Sequence, residues 1–354
     1  MNRILLILLI PVFLIYTGCK HEKSETYSPG FRIIKALDKS RIYKPGSDST
    51  DNLHFRPLDI DMWYPAKAME TDSVMIFRDI LGLLEQRAIY YTGANSWKGV
   101  TSQIAQSFCD GFKCSDSAKL LNFKTNSYKN ARPLQNKFPL IIYLCAYNGM
   151  SYENYALFEN LAAKGYVVIS ISSIGRFPGD MTMKKEDLFE QVSDAIYSFQ
   201  TIKQNQGIDF SKIGIIGYSW GGLTGAILAD RIPGVKCVVS LDGSEYHHYG
   251  ESKEENADFD DLRNSIEFRE VKLSVPYLRL ESSPEKVTEK TDSVYDFSKK
   301  LSREFSIIKI DSAQHEDFSC LSLIVRESGN CKINTFFNKS MKLVLDFLDD
   351  HLKN

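Results

Sequence analysis

No sign of charge dominates this chain. Its 43 lysines and arginines are nearly matched by 45 acids, for a formal net charge of −2 over 354 residues. A nucleic-acid binder needs a basic face, and none is legible, so nucleic acid is not an expected partner. Histidine is scarce too, at six residues. No His/Cys spacing of the zinc-site kind accompanies it, and the adjacent His247 and His248 would point to opposite faces of a strand. There is no repeat at solenoid periods. What is present is an ordinary folded composition, 43% apolar and 25% charged. The length suits one large domain, or one domain with a small cap. The acidic run Glu251 to Asp261 reads as a solvated loop.

The N-terminus is the exception to this even texture. Arg3 precedes an apolar run from Ile4 to Tyr16. The run is short for a transmembrane helix and fits the core of a secretory signal. It ends in Tyr16-Thr17-Gly18-Cys19, after which Lys20-His21-Glu22-Lys23 is polar. This resembles a bacterial lipoprotein signal, with residues 1–18 removed and Cys19 lipidated; a plain signal peptide or uncleaved anchor is the alternative. The resemblance implies an exported protein held by a lipid anchor at a bacterial membrane, periplasmic or on the cell surface. Residues 19–30 then read as a tether. Export makes disulfides possible. The natural local pairs are Cys109 with Cys114 and Cys320 with Cys331, while Cys145 and Cys237 lie in apolar runs as small buried hydrophobes.

Phe31–Ala36 and Leu58–Tyr64 read as antiparallel strands. Residues 66–135 differ, with helix-like patches at 74–86 and 102–108, many aromatics (Tyr90, Tyr91, Trp97) and no strand alternation. They read as an insertion or cap. From residue 138 a regular rhythm sets in. Apolar strands are expected at 138–146, 166–172, 213–218, 236–241, 276–280 and 305–310. Helices are expected at 152–164, 185–204, 220–230, 292–301 and 334–352, with a long polar loop after 241. Such alternation predicts an α/β fold, a mostly parallel sheet with helices on both faces.

The chemistry centres on Gly217-Tyr218-Ser219-Trp220-Gly221-Gly222. It follows a strand and opens a helix, the context that the G-x-S-x-G turn of serine hydrolases requires. The helix N-terminus aims free N–H groups at the site, and the Trp220 amide is a candidate oxyanion donor. A serine nucleophile needs a base, and His315 is the histidine that follows the last parallel strand. For the acid, Asp242 ends the strand after the nucleophile helix, and Glu281 and Glu285 follow the next one. Asp242 is favoured because a short carboxylate at a strand end is held rigidly. The order Ser219, Asp242, His315 keeps the serine–acid–histidine sequence of such sites.

From about residue 130 to 354 the chain resembles the platelet-activating-factor acetylhydrolase branch of the α/β-hydrolases, near the dienelactone-hydrolase-like esterases. The resemblance rests on the serine motif, on Leu241-Asp242, on Ser312-Ala313-Gln314-His315-Glu316-Asp317-Phe318 and on Phe347 to Leu352. Arg56 to Ala66 looks like the opening strand of the secreted relatives. The branch has His-Gly after its first core strand, where this chain has Leu144-Cys145-Ala146-Tyr147-Asn148-Gly149. The second oxyanion donor would be the backbone amide near Tyr147. The expected activity is cleavage of a small-molecule or lipid ester through an acyl-serine, with no metal or cofactor needed. A serine peptidase and a non-catalytic surface-binding lipoprotein are the alternatives.

Overall fold

Two long strands begin the described chain. In this computed structural model residues 26–112, 116–246, 252–283, 297–301, 303–320 and 335–353 are described. The signal segment, Cys19, His247, His248, Glu285 and half of the 292–301 helix expectation lie outside them. Strands β1 (Ser28–Ile42) and β2 (Phe55–Lys67) pair antiparallel, from Ser28 opposite Ala66 to Ile42 opposite Phe55. Both exceed the spans read from sequence, and Ser28 to Gly30 belong to β1 rather than to a tether.

The remaining strands are β3 (Val74–Ile76), β4 (Lys124–Lys129), β5 (Arg132–Pro133), β6 (Phe138–Leu144), β7 (Val167–Ile171), β8 (Ile208–Tyr218), β9 (Val235–Leu241), β10 (Tyr277–Ser283) and β11 (Phe305–Asp311). They form one sheet in the order β11-β10-β9-β8-β6-β7-β2-β1-β4-β3, with β5 beside β2. β6 to β11 are mutually parallel. β2 joins β7 antiparallel, so the sheet is mixed. Every residue of β6 is buried, as a central parallel strand covered on both faces must be.

Successive β6 side chains feed two cores. Ile141 and Tyr143 pack with α4 (Tyr155–Ala163) and α9 (Thr335–Leu352). Leu140, Ile142 and Leu144 pack with α5 (Lys185–Ile202) and α6 (Trp220–Arg231). The region after β9 departs from the expected polar loop. It holds α7 (Lys253–Asn264) and α8 (Ile266–Arg269), whose Phe259, Leu262 and Phe268 are buried in the second core.

The 66–135 insertion also carries strands that the sequence did not announce. β4 pairs parallel with β1, Gly30 opposite Tyr128, and β3 pairs with β4. Its helices α1 (Phe77–Thr92), α2 (Val100–Phe112) and α3 (Ser117–Leu121) put Phe77, Ile80, Leu81, Ala105 and Leu120 into the first core. The insertion thus extends the far end of the sheet, with β4 five strands from β8, or about 24 Å at 4.8 Å per strand.

The cysteines divide. Cys109 is disulfide-bonded, with its partner outside the described residues. Cys320 corrects the expected pairing with Cys331: it is a free, buried thiol. Its sulfur sits against the Glu153 carbonyl at 3.3 Å and the Ala156 amide at 3.5 Å, and burial pushes its pKa up. Cys145 and Cys237 are free and buried as expected.

Candidate active site

Ser219 occupies the sharp bend between β8 and α6, at φ 54°, ψ −119°. A non-glycine residue there is strained, and the surroundings must impose it. They do so by hydrogen bonds. Ser219 N–H donates to Leu241 O at 3.0 Å, while its carbonyl accepts from Gly222 and Ser244, each at 2.9 Å. The flanking glycines let backbones meet: a methyl on Gly221 would lie 2.1 Å from Leu144 O, and one on Gly217 2.1 Å from Gly221 O. The motif is therefore a packing solution that tips one hydroxyl-bearing residue out of the carboxyl edge of the sheet.

Asp242 and His315 meet at that same edge. Asp242 leaves β9 at φ 46°, and its N–H donates to Leu280 O at 2.7 Å. One carboxylate oxygen, Oδ1, accepts from Ser282 N–H at 2.8 Å; the other, Oδ2, lies 2.7 Å from His315 Nδ1. Burial alone would push this carboxyl up. The His315 hydrogen bond and charge, the Ser282 amide and the Arg279 guanidinium overcome it and hold the pKa at about 2. An ionised acid accepts only, so His315 Nδ1–H is the donor of this pair. Glu281 is engaged elsewhere, 3.3 Å from Arg279 Nε and 3.6 Å from Lys309 Nζ.

Tyr218 supports the histidine, a role that sequence reasoning missed. Its ring stacks on the His315 ring at 5.0 Å and 25°, and its hydroxyl donates to His315 O at 3.1 Å. The residue beside the serine thus fixes the loop that carries the histidine. An aromatic inside the serine motif was the available signal.

Residues 139–332, more than half of the chain, match the family described as the alpha/beta hydrolase fold. The chain belongs to that family. Among solved structures, a ferulic acid esterase from Streptomyces cinnamoneus is similar at 16% identity and a TM-score of 0.62, covering 92% of this chain and 90% of that one. An acylaminoacyl peptidase from Pyrococcus horikoshii is similar at 13% identity and a TM-score of 0.51; the match spans 92% of this chain but 42% of the peptidase. No curated protein sequence matches the chain.

In this alpha/beta hydrolase fold the loop after β6, Cys145 to Gly149, begins against the first turn of α6, where a methyl on Gly221 would lie 2.9 Å from Cys145 O. The Tyr147 ring meets the Trp220 ring edge-on at 5.9 Å, so the two residues expected to supply oxyanion amides are neighbours. The loop is a tight turn closed by Gly149 N–H to Ala146 O at 2.8 Å. Behind it, the buried Glu153 carboxyl accepts from Ala146 N–H at 3.0 Å and Tyr143 Oη at 2.9 Å. Burial pushes this acid up to about 8, against the downward pull of those two donors. Gln191 of α5 donates to Cys145 O at 3.1 Å and accepts from Thr224 of α6, linking the loop to the serine-bearing helix.

Proposed function

We propose that this chain is a serine hydrolase that cleaves carboxylic esters. The observation that carries the proposal is the convergence of the strained Ser219 bend with the 2.7 Å His315–Asp242 pair at one sheet edge. In the proposed reaction His315 Nε2 takes the Ser219 proton as Oγ attacks the ester carbonyl carbon. The Trp220 and Tyr147 amides receive the oxyanion. His315 then gives the proton to the departing alcohol, leaving an acyl-serine that water hydrolyses by the same route in reverse. Asp242 holds the reactive tautomer and stabilises the imidazolium. These steps balance protons and electrons within the substrate, water and the three residues.

The substrate is a small-molecule or lipid ester. The ferulic acid esterase of the same fold favours the ester reading, and the acylaminoacyl peptidase keeps amide cleavage as the second one. A fluorophosphonate should label Ser219, and Ser219→Ala should lose labelling and lower kcat by about 10⁴- to 10⁶-fold. Labelling elsewhere with Ser219 silent would sink the assignment. Paired aryl esters and aryl amides of one acid separate esterase from peptidase by the ratio of their kcat/KM values. The proposal includes export and a lipid anchor at Cys19. It also includes a part for the 66–135 insertion in shaping the acyl pocket.

A further inference from the structure

The loop that offers the Tyr147 amide leaves the end of β6 and is closed on itself by the Gly149 N–H to Ala146 O bond, and its tip still needs an anchor to the rest of the domain. Asn148 is the third residue of the Ala146–Gly149 turn and adopts φ 51°, as a type II turn requires. Glycine meets that requirement at lower cost, so the asparagine side chain has a further use. Its two polar atoms close on one backbone unit. Oδ1 accepts from Met181 N–H at 2.8 Å and Nδ2 faces Met181 O at 3.4 Å. The Tyr147 hydroxyl donates to the same Met181 carbonyl at 2.7 Å.

Met181 is a fixed anchor. Its segment is tied down by Arg56, whose guanidinium donates to Gly175 O at 2.5 Å and Ile174 O at 3.2 Å, and by Asp187, which accepts from Arg176 N–H at 2.8 Å. The tyrosine hydroxyl sits at the end of a long side chain and leaves its own amide free to tilt. The asparagine contact is two-pronged and sits on the residue after Tyr147, so it holds the Tyr147–Asn148 peptide next to the one that carries the Tyr147 N–H. Glu153 secures Ala146, on the other side of Tyr147.

We propose that Asn148 is the positioning residue of the oxyanion loop, orienting the Tyr147 amide by pairing with the Met181 backbone. The inference rests on the serine-hydrolase reading. Misplaced oxyanion donors lose stabilisation of the transition state and little ground-state binding.

The test is Asn148→Gly, which keeps the turn's φ accessible and deletes both side-chain contacts. In the folded variant kcat should fall about 10- to 100-fold with KM within about twofold, and fluorophosphonate labelling should slow in parallel. Asn148→Asp retains the acceptor for Met181 N–H and loses the donor; its kcat should fall between the two, again with KM held. It also serves if the glycine variant does not fold. A folded variant with parental kcat and labelling rate overturns the inference, as does a loss confined to KM. A parent that is not labelled at Ser219 removes the hydrolase reading itself, whereas a labelled parent matched by its Asn148 variants removes the positioning role alone.

Discussion

At Asp242 one carboxylate is asked to be buried, charged and aimed. Its pKa of about 2, against an ordinary value of 3.8, makes two demands testable. Asp242→Asn keeps the shape but lets His315 take the wrong tautomer, so kcat should fall on the order of 10⁴-fold in a folded protein. Glu281→Gln should stay within about tenfold, because Glu281 serves Arg279 and Lys309 rather than the imidazole. The reverse pattern in a steady-state assay would move the acid to β10. The same shift sets a sign for stability. The folded pKa is depressed, so the contribution is full above about pH 4 and disappears as pH falls through about 2. At 1.36 kcal/mol per unit it is on the order of 2 kcal/mol. Acid titration of unfolding should show the parent losing this increment between pH 4 and 2 while Asp242→Asn does not.

Elements were legible where period and punctuation agreed. The β6-to-α6 stretch was readable because buried parallel strands are continuous apolar runs, and a glycine-rich turn separates the serine from both neighbours. The same reasoning singled out Ser219, His315 and Asp242, of which the last two pair at 2.7 Å and the first sits at the β8–α6 bend. It missed α7 because a run of acids resembles a solvated loop. Ser252-Lys253-Glu254-Glu255 is nonetheless a capping signature: Ser252 Oγ accepts from Glu255 N–H at 3.1 Å, and acids in a first turn suit the helix dipole. Strands β3 and β4 were illegible because three and six residues carry too little alternation, and only the pairing of β4 with β1 and of β3 with β4 defines them. That pairing bears on the insertion. Arg87 of α1 reaches Asp61 at 2.5 Å, Asp59 at 3.1 Å and Ser151 Oγ at 2.7 Å, just beyond the oxyanion loop. Arg87→Met leaves the fully buried Asp61 without its cation and should cost about 3–5 kcal/mol, most of it recovered in Arg87→Met/Asp61→Leu. Chemical denaturation measures both. If the folded double variant keeps the parent's preference among esters of rising acyl length, the insertion does not shape the pocket.

The whole molecule has a polarity that the sheet dictates. Tyr27 N–H donates to Ala163 O at 2.9 Å and its ring meets Phe138 at 5.5 Å. The chain therefore joins the domain beside the first residue of β6. Ser219, Asp242 and the Tyr147 loop lie at the other ends of the parallel strands. Cys19 is eight residues before Tyr27, a reach of about 28 Å at most. A lipid on Cys19 would hold the amino edge of the sheet toward the bilayer and leave the serine edge toward solvent. Cys19→Ser should then move the protein from the membrane fraction to a soluble or unprocessed form. The kcat of the soluble form on a water-soluble ester should remain within about twofold of the anchored one, because Tyr27 joins the domain at the opposite edge of the sheet from Ser219. Fractionation and mass spectrometry of residue 19 check the first half. An unchanged distribution with an unmodified Cys19 removes the anchor. A soluble variant that loses turnover on the water-soluble ester would instead mean that the membrane completes the site, which the attachment of Tyr27 beside the first residue of β6 argues against.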